Sequence, residues 1–147
     1  MASNKVTRRS VLQTGVAGMA AASVTGPAFG ALGANDKIRV AVAGLNGRGG
    51  SHVGEFSGME GVDVTYLVDP DKNTHGRHIG RVEEKSGRKP KCVQDIREAL
   101  EDKNVDVISI ATPNHWHSLM TVWACQHGKH VYVEKPMSHN IFEGRQC

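Results

Sequence analysis

Short runs of β-branched and other apolar residues recur along most of the chain, and longer, more polar segments lie between them. Runs that are apolar throughout are typical of strands buried on both faces of a parallel sheet. The pattern predicts strands at residues 37–43, 62–68, 91–93, 105–111 and 130–133. Strands that alternate with helical segments in this way predict an α/β fold with a doubly wound parallel sheet, the Rossmann architecture.

The segments between the strands have helical character. We predict helices at residues 51–56, 73–86, 95–101 and 115–127, and the start of another at 140–143. The third opens with a capping-box pattern at Asp95 and Glu98. In the fourth, five apolar residues share one face by their spacing: Trp116, Leu119, Met120, Trp123 and Ala124. We therefore interpret both tryptophans as core residues without a binding role.

Composition narrows the functional classes. The 147 residues are 39% hydrophobic and 22% charged, which is typical of a soluble globular domain. The net charge of +3 reflects the basic cluster Lys5, Arg8 and Arg9, and no basic stripe with interleaved aromatics follows, so we do not expect nucleic acid as a partner. The three cysteines lack metal-ligand spacing, and His115 and His117 do not share a helix face, so we expect no metal.

The N-terminal segment has the layout of an export signal. A basic start, a moderately apolar stretch and a small-residue end divide residues 1–30 as in a signal peptide. Residues 7–13, which contain Arg8 and Arg9, resemble the twin-arginine signal, although Gln13 replaces the usual Lys. We therefore expect the twin-arginine translocase as a partner and a periplasmic or other extracytoplasmic location. Residues 31–36 would be a linker, and the signal would be either cleaved or kept as an anchor.

A glycine-rich turn joins the first strand to the first helix. In this position a dinucleotide pyrophosphate lies against backbone amides and the positive end of the helix. Glycine is required because a side chain would block the tight turn or the approach of the phosphates. Asn46 stands at the usual second-glycine position, where adjacent Gly47 could allow the close approach instead. The predicted contact residues are Gly44, Asn46, Gly47, Arg48 and Gly49.

An acidic residue ends the second strand. Asp69 lies about 20 residues after the glycine turn, which is the offset at which an acid hydrogen-bonds the adenosine ribose. An acid in this place favours NAD as the cofactor, because it would repel the 2′-phosphate of NADP. Lys72 is close in sequence and keeps NADP open as an alternative.

Two motifs follow the fourth and fifth strands. Residues 111–117 read Ala-Thr-Pro-Asn-His-Trp-His, and residues 128–136 read Gly-Lys-His-Val-Tyr-Val-Glu-Lys-Pro. Together they resemble the glucose-fructose oxidoreductase and inositol dehydrogenase family (Gfo/Idh/MocA). The resemblance implies a Rossmann domain followed by a mainly β-sheet substrate domain. On this expectation residues 37–147 are a truncated Rossmann domain, and the C-terminal substrate domain is missing.

The resemblance also implies roles for individual residues. Thr112, Pro113, Asn114 and His117 would flank the dinucleotide. Glu134 and Lys135 would lie near the nicotinamide, with Lys135 as the catalytic residue that orients or polarises a sugar hydroxyl or carbonyl.

Three functions remain open after the resemblance. The first is an oxidoreductase that transfers hydride between a nicotinamide cofactor and a small carbohydrate-like substrate, such as a sugar, polyol or related hydroxyl compound. The second is an NAD-dependent glycosidase of the same family, and the third is a non-catalytic dinucleotide-binding module. We expect residues 31–147 alone to bind dinucleotide weakly and to turn over no sugar, and a homo-oligomer of the full-length protein remains open.

Overall fold

Five parallel strands form the sheet in the computed structural model, which describes residues 37–147. The strands are β1 (Ile38–Ala43), β2 (Val62–Val68), β3 (Lys91–Val93), β4 (Val107–Ile110) and β5 (His130–Val133). Their order across the sheet is β3-β2-β1-β4-β5, and every neighbouring pair is parallel. The predicted fold class is confirmed. The fourth strand is shorter than predicted, at four residues.

Helices connect the strands in the predicted order. They are α1 (Arg48–Gly58), α2 (His75–Ser86), α3 (Arg97–Glu101), α4 (His117–Gln126) and α5 (Ile141–Gln146). Short 3₁₀ turns at Lys72–Thr74 and Asn114–Trp116 precede α2 and α4. The capping-box prediction holds only in part, because the Asp95 carboxylate accepts from the backbone N–H of Arg97, while the N–H of Glu98 donates to the Asp95 carbonyl.

The core lies on both faces of the sheet, because successive strand residues point in opposite directions. Val40 and Val42 of β1 belong to the apolar cluster that includes Val53 of α1 and Val82 of α2. On the other face, a second cluster joins β1 and β4 to α3 and α4 through Ala41, Ala43, Ile108, Ile110, Leu100 and Ala124. Helices that leave neighbouring β1 and β4 thus pack on opposite faces, which opens a crevice at the carboxyl ends of these two strands.

The apolar face predicted for α4 is only partly correct. Ala124 is fully buried, and Met120 and Trp123 pack against the core with part of their surface exposed. Trp116 and Leu119 are 40% and 42% exposed, so the core assignment of Trp116 is wrong. The physical reason is that Trp116 lies in the 3₁₀ turn before the helix, where three residues per turn replace 3.6 and move its side chain out of register.

The predicted signal peptide and linker lie outside the described residues. Within residues 37–147, no helix has the length and apolarity that a membrane crossing requires.

Candidate functional site

A cavity of about 960 Å³ opens at the carboxyl ends of the strands. Loops that follow β1, β2, β3 and β4 supply its walls, as expected for the crevice of a doubly wound sheet. Six of the residues predicted from sequence line it: Gly44, Asn46, Gly47, Asp69, Thr112 and Pro113.

The glycine turn is packed too tightly for side chains at two positions. Gly44 has φ of +82°, and a Cβ there would lie 2.7 Å from the carbonyl oxygen of Ala111. A Cβ on Gly49 would lie 1.6 Å from the carbonyl oxygen of Gly44. Gly47, the residue before α1, takes the positive φ of +54°, so Asn46 does not need the left-handed conformation. The turn therefore brings the start of α1 directly against β4 and leaves the cavity side open to a ligand.

Asp69 connects the end of β2 to this turn. Its side chain is nearly buried; Oδ2 accepts from the backbone N–H of Leu45 at 2.8 Å, and Oδ1 accepts from the N–H of Asp71 at 2.9 Å. A carboxylate has about four acceptor positions, so both oxygens can still accept from a ligand hydroxyl. Asp69 thus has a structural role in the loop after β2 and in the glycine turn, and its ribose contact stays a prediction.

Glu134 follows β5 and is held by two side chains from α1. Its Oε1 accepts from Nε of Arg48 at 2.8 Å and from Nε2 of His52 at 2.9 Å. The hydrogen bond from Arg48, followed by that from His52, lowers the pKa of Glu134 to about 2. Nδ1 of buried His52 lies 2.9 Å from Oγ of Ser109 on β4. Arg48 and Glu134 thus face each other across the sheet edge, and neither lines the cavity.

His117 is buried and is not among the residues that line the cavity. Its ring is 2% exposed, and its nitrogens lie 2.7 Å from the carbonyl oxygens of Thr112 and Pro136. The histidine therefore joins the two motifs to each other, and its predicted place beside the dinucleotide stays a prediction.

The remaining predicted residues are placed as follows. Asn114 is exposed in the 3₁₀ turn, Gly49 is buried beneath the glycine turn, and Lys135 is exposed after β5, with a cis peptide bond to Pro136. None of these three predicted residues lines the cavity in the described part of the chain.

Sequence reasoning missed several residues that line the cavity. Trp116, Met120 and Trp123 form an apolar wall on the α4 side, and the loops after β2 and β3 supply the rest: Pro70, Gln94, Asp95, Ile96 and Arg97. Aromatic side chains in such a wall can pack against a planar ring. The signal available in the sequence was the position of these loops directly after parallel strands, since such loops meet at one edge.

Metal binding has no support within residues 37–147, where no group of three His, Cys, Asp or Glu side chains is placed to hold an ion. The cavity is lined by the glycine turn, two carboxylates that can accept from hydroxyl groups, the Arg97 guanidinium that can donate, and two tryptophan rings, a combination that suits an organic phosphate ester with a planar base.

Solved structures share this architecture. Residues of this chain superpose on GenD2 from gentamicin A biosynthesis, solved in complex with NAD, with a TM-score of 0.63 and 28% identity, over 76% of this chain and 30% of that one. Myo-inositol 2-dehydrogenase from Lactobacillus plantarum gives a TM-score of 0.64 at 23% identity, over 76% of this chain and 32% of that one. At this identity the second likeness shows the fold alone.

Sequence comparison gives the family. A glycosyl hydrolase family 109 protein of Shewanella baltica (strain OS195) is 31% identical over 112 residues, which are 74% of this chain and 24% of that protein. The chain thus spans about a quarter of the length of the curated relatives it matches. The model of the Gfo/Idh/MocA oxidoreductase family, NAD-binding Rossmann fold, matches residues 38–147. The chain therefore belongs to the Gfo/Idh/MocA oxidoreductase family, and its described part is the NAD-binding Rossmann domain of that family.

Proposed function

We propose that the full-length protein transfers hydride between NAD and a hydroxyl-bearing carbon of a sugar, polyol or related compound. The observation that carries this proposal is the placement of the cavity at the β1–β4 crevice, with the glycine turn and Asp69 beside it and Lys135 after the neighbouring strand β5. Ligands of doubly wound sheets bind at such a switch point.

The residues present fit NAD. The first amides of α1 face the turn and supply positive charge to a pyrophosphate, and no side chain stands between them and the cavity at Gly47, where a Cβ would meet nothing within 4 Å. Asp69 would accept from the adenosine ribose. Trp116 and Trp123 offer apolar surface to a planar ring. NAD then supplies the hydride acceptor, or the donor in the reverse direction.

Lys135 is the residue that would act on the substrate. When such a hydroxyl compound is oxidised to a carbonyl compound, its hydroxyl group loses a proton to a base, and negative charge develops on the oxygen. An ammonium group near the hydroxyl oxygen would stabilise that negative charge, a contribution of about 10²–10³-fold in rate. Lys135 is exposed in the described domain, which leaves its ammonium group accessible to a substrate.

A glycosidase is the second candidate, because the curated relatives are named glycosyl hydrolase family 109 proteins. That chemistry would begin with the same NAD-dependent oxidation of a sugar carbon, followed by elimination and return of the hydride. The two candidates differ in product: a dehydrogenase accumulates NADH, whereas a glycosidase releases an aglycone and regenerates NAD. A full-length assay with a chromogenic glycoside separates them.

NAD is proposed as the preferred cofactor over NADP because the carboxylate of Asp69 lies at the cavity wall. Asp71, two residues on, serves as a control, since its exposed carboxylate caps the following 3₁₀ turn by accepting from the N–H of Asn73.

Calorimetric titration of NAD+ and NADP+ into the 147-residue chain tests this proposal. The wild type and Asp71→Ala should bind NAD+ alike. Asp69→Asn keeps one acceptor oxygen and places its NH2 group against the backbone N–H of either Leu45 or Asp71, so it should bind NAD+ at least 10-fold more weakly, the equivalent of at least one lost charged hydrogen bond. The difference between the affinities for NAD+ and NADP+ should also be smaller in this variant than in the wild type. The absence of saturable binding of either cofactor by the wild type at millimolar concentration would refute the site.

Export through the twin-arginine route is proposed from Arg8 and Arg9 within residues 1–30. Replacement of both by Lys should retain the protein in the cytoplasm, as measured by fractionation, whereas replacement of Lys5 alone should leave export unchanged. Equal export of the double variant would exclude this route.

A further inference from the structure

Three elements meet at one buried histidine on the side of the sheet that carries α1. His52 of α1 contacts Ser109 of β4 through Nδ1 and Glu134 after β5 through Nε2, each at 2.9 Å. We propose that His52 is a positioning residue for Lys135: it fixes the Glu134 carboxylate and thereby the backbone from which Lys135 extends. This inference rests on the proposed role of Lys135 in the reaction.

The chemistry of the partners fixes the histidine tautomer. An ionised carboxylate only accepts hydrogen bonds, so Nε2 of His52 carries the hydrogen that is donated to Glu134. Nδ1 then accepts from the Ser109 hydroxyl in the neutral ring. Ser109 is fully buried, so water does not compete for this hydroxyl. A carboxylate held ionised in this way has no proton to exchange near neutral pH and therefore acts as an anchor, not as an acid or base.

The second hydrogen-bond donor to Glu134, Arg48, is much more exposed than His52. The side chain of Arg48 is 66% exposed, whereas that of His52 is 7% exposed. Exposed ion pairs are weakened by solvent and salt and by the entropy of holding a long side chain. The buried histidine is therefore the contact that keeps Glu134 in place.

Aromatic neighbours hold the His52 ring in its orientation. The ring of Tyr132 on β5 meets it edge-on with centroids 5.4 Å apart, and the ring of Phe56 does so at 6.0 Å. Tyr132 and Phe56 also contact each other. A ring held by two aromatic and two polar contacts presents Nε2 to Glu134 in one geometry, which is what a positioning residue requires.

Hydrogen exchange on the full 147-residue chain tests the inference without any cofactor or substrate. The variants are His52→Leu, which removes the donor, and His52→Gln, whose amide can still donate to Glu134. His127→Leu is the control, since it makes the same change at an exposed histidine of the same domain. The readout is the exchange rate of the Glu134 amide, which donates to the carbonyl oxygen of Ile110 and directly precedes Lys135, with Val42 in the central strand as the reference for global unfolding.

We expect His52→Leu to accelerate exchange of the Glu134 amide at least 10-fold relative to Val42, and His52→Gln to keep the Glu134 exchange rate within about 3-fold of wild type. NMR of the wild-type ring should show the tautomer with hydrogen on Nε2, and Glu134→Gln should shift that nitrogen resonance. The inference would be overturned if His52→Leu accelerated exchange equally at Val42, or if His52→Gln failed to keep the Glu134 amide protected. It would also be overturned if the wild-type His52 ring carried its hydrogen on Nδ1 alone. If the exchange and NMR results are as expected but the wild type does not bind NAD+, the proposed function fails and the positioning of Glu134 by His52 stands.

Discussion

Replacement by alanine should change the free energy of unfolding in opposite directions at two helical glycines. Gly49 lies in the first turn of α1, and Gly80 lies in the interior of α2. A Cβ on Gly49 would lie 1.6 Å from the carbonyl oxygen of Gly44, a backbone atom, whereas a Cβ on Gly80 would meet nothing within 4 Å outside its own helix. Comparison of Gly49→Ala with Gly80→Ala therefore isolates the packing of the glycine turn from helix propensity.

The magnitudes follow from these distances. Alanine is better than glycine in a helix interior by about 0.5–1 kcal/mol, so Gly80→Ala should raise the free energy of unfolding by that amount. Gly49→Ala gains the same propensity but must displace the glycine turn from β4. Overpacking typically costs about 1–3 kcal/mol, and contact with backbone places this site at or above the upper end. We expect a net loss of about 3 kcal/mol.

Thermal unfolding by circular dichroism, together with NAD+ titration, provides the assay. At roughly 4 °C per kcal/mol for a domain of this size, Gly80→Ala should raise Tm by about 2–4 °C, and Gly49→Ala should lower it by about 12 °C. Gly49→Ala should also weaken NAD+ binding at least 10-fold, because the displaced turn forms the pyrophosphate site. A Gly49→Ala protein with wild-type Tm and affinity would show that the turn is not packed as described.

Two further predictions concern the aromatic wall and a buried histidine. Both tryptophans of the sequence line the cavity, so NAD+ binding should quench the intrinsic tryptophan fluorescence. Trp116→Ala should weaken NAD+ binding several-fold and change Tm by less than about 3 °C, because this side chain is 40% exposed. A large loss of stability with unchanged NAD+ affinity would instead favour a core role for Trp116. His78 is 2% exposed, and burial, followed by nearby Arg77, lowers its pKa. Below about pH 6.5 the unfolded chain therefore binds a proton at His78 that the folded state does not bind. The contribution of neutral His78 to the free energy of unfolding is complete above that pH and decreases as the pH falls, by at most about 1.4 kcal/mol per pH unit. In urea titrations between pH 7.5 and 5.5, His78→Leu should reduce the decrease in the free energy of unfolding with falling pH, whereas His127→Leu should leave it unchanged. The same pH dependence in wild type and His78→Leu would refute the role of His78.

The sequence carried enough information for the fold because the strands and turns depend on local signals. Residues 62–68 are apolar and β-branched, and they form β2 with the predicted bounds. Gly44 and Gly49 were predicted from turn chemistry, and both have contacts that exclude a Cβ. Such features follow from backbone conformation and burial, which leave a pattern in neighbouring residues.

The parts of the site that sequence did not predict depend on contacts between distant residues. His52 is 57 residues from Ser109 and 82 from Glu134, so no local spacing marks it as a partner of either. Trp116 satisfied a helical periodicity but lies in a 3₁₀ turn, where that periodicity does not apply. His117 was predicted beside the cofactor because its motif lies at the right edge, and its hydrogen bonds to Thr112 and Pro136 depend on its burial, which the motif does not show.

The glycine turn and the first residues of α1 together contact three different strands or the loops after them, and this has a consequence for protein engineering. The segment from Leu45 to His52 bonds to Asp69 after β2, to Ser109 in β4 and to Glu134 after β5. A graft of this segment from a relative with another cofactor preference would therefore meet three fixed partners scattered over the chain. Chimeras that exchange the segment together with those three positions should fold and bind, whereas exchange of a segment that replaces His52, with the rest of the chain unchanged, should leave Ser109 and Glu134 without that partner.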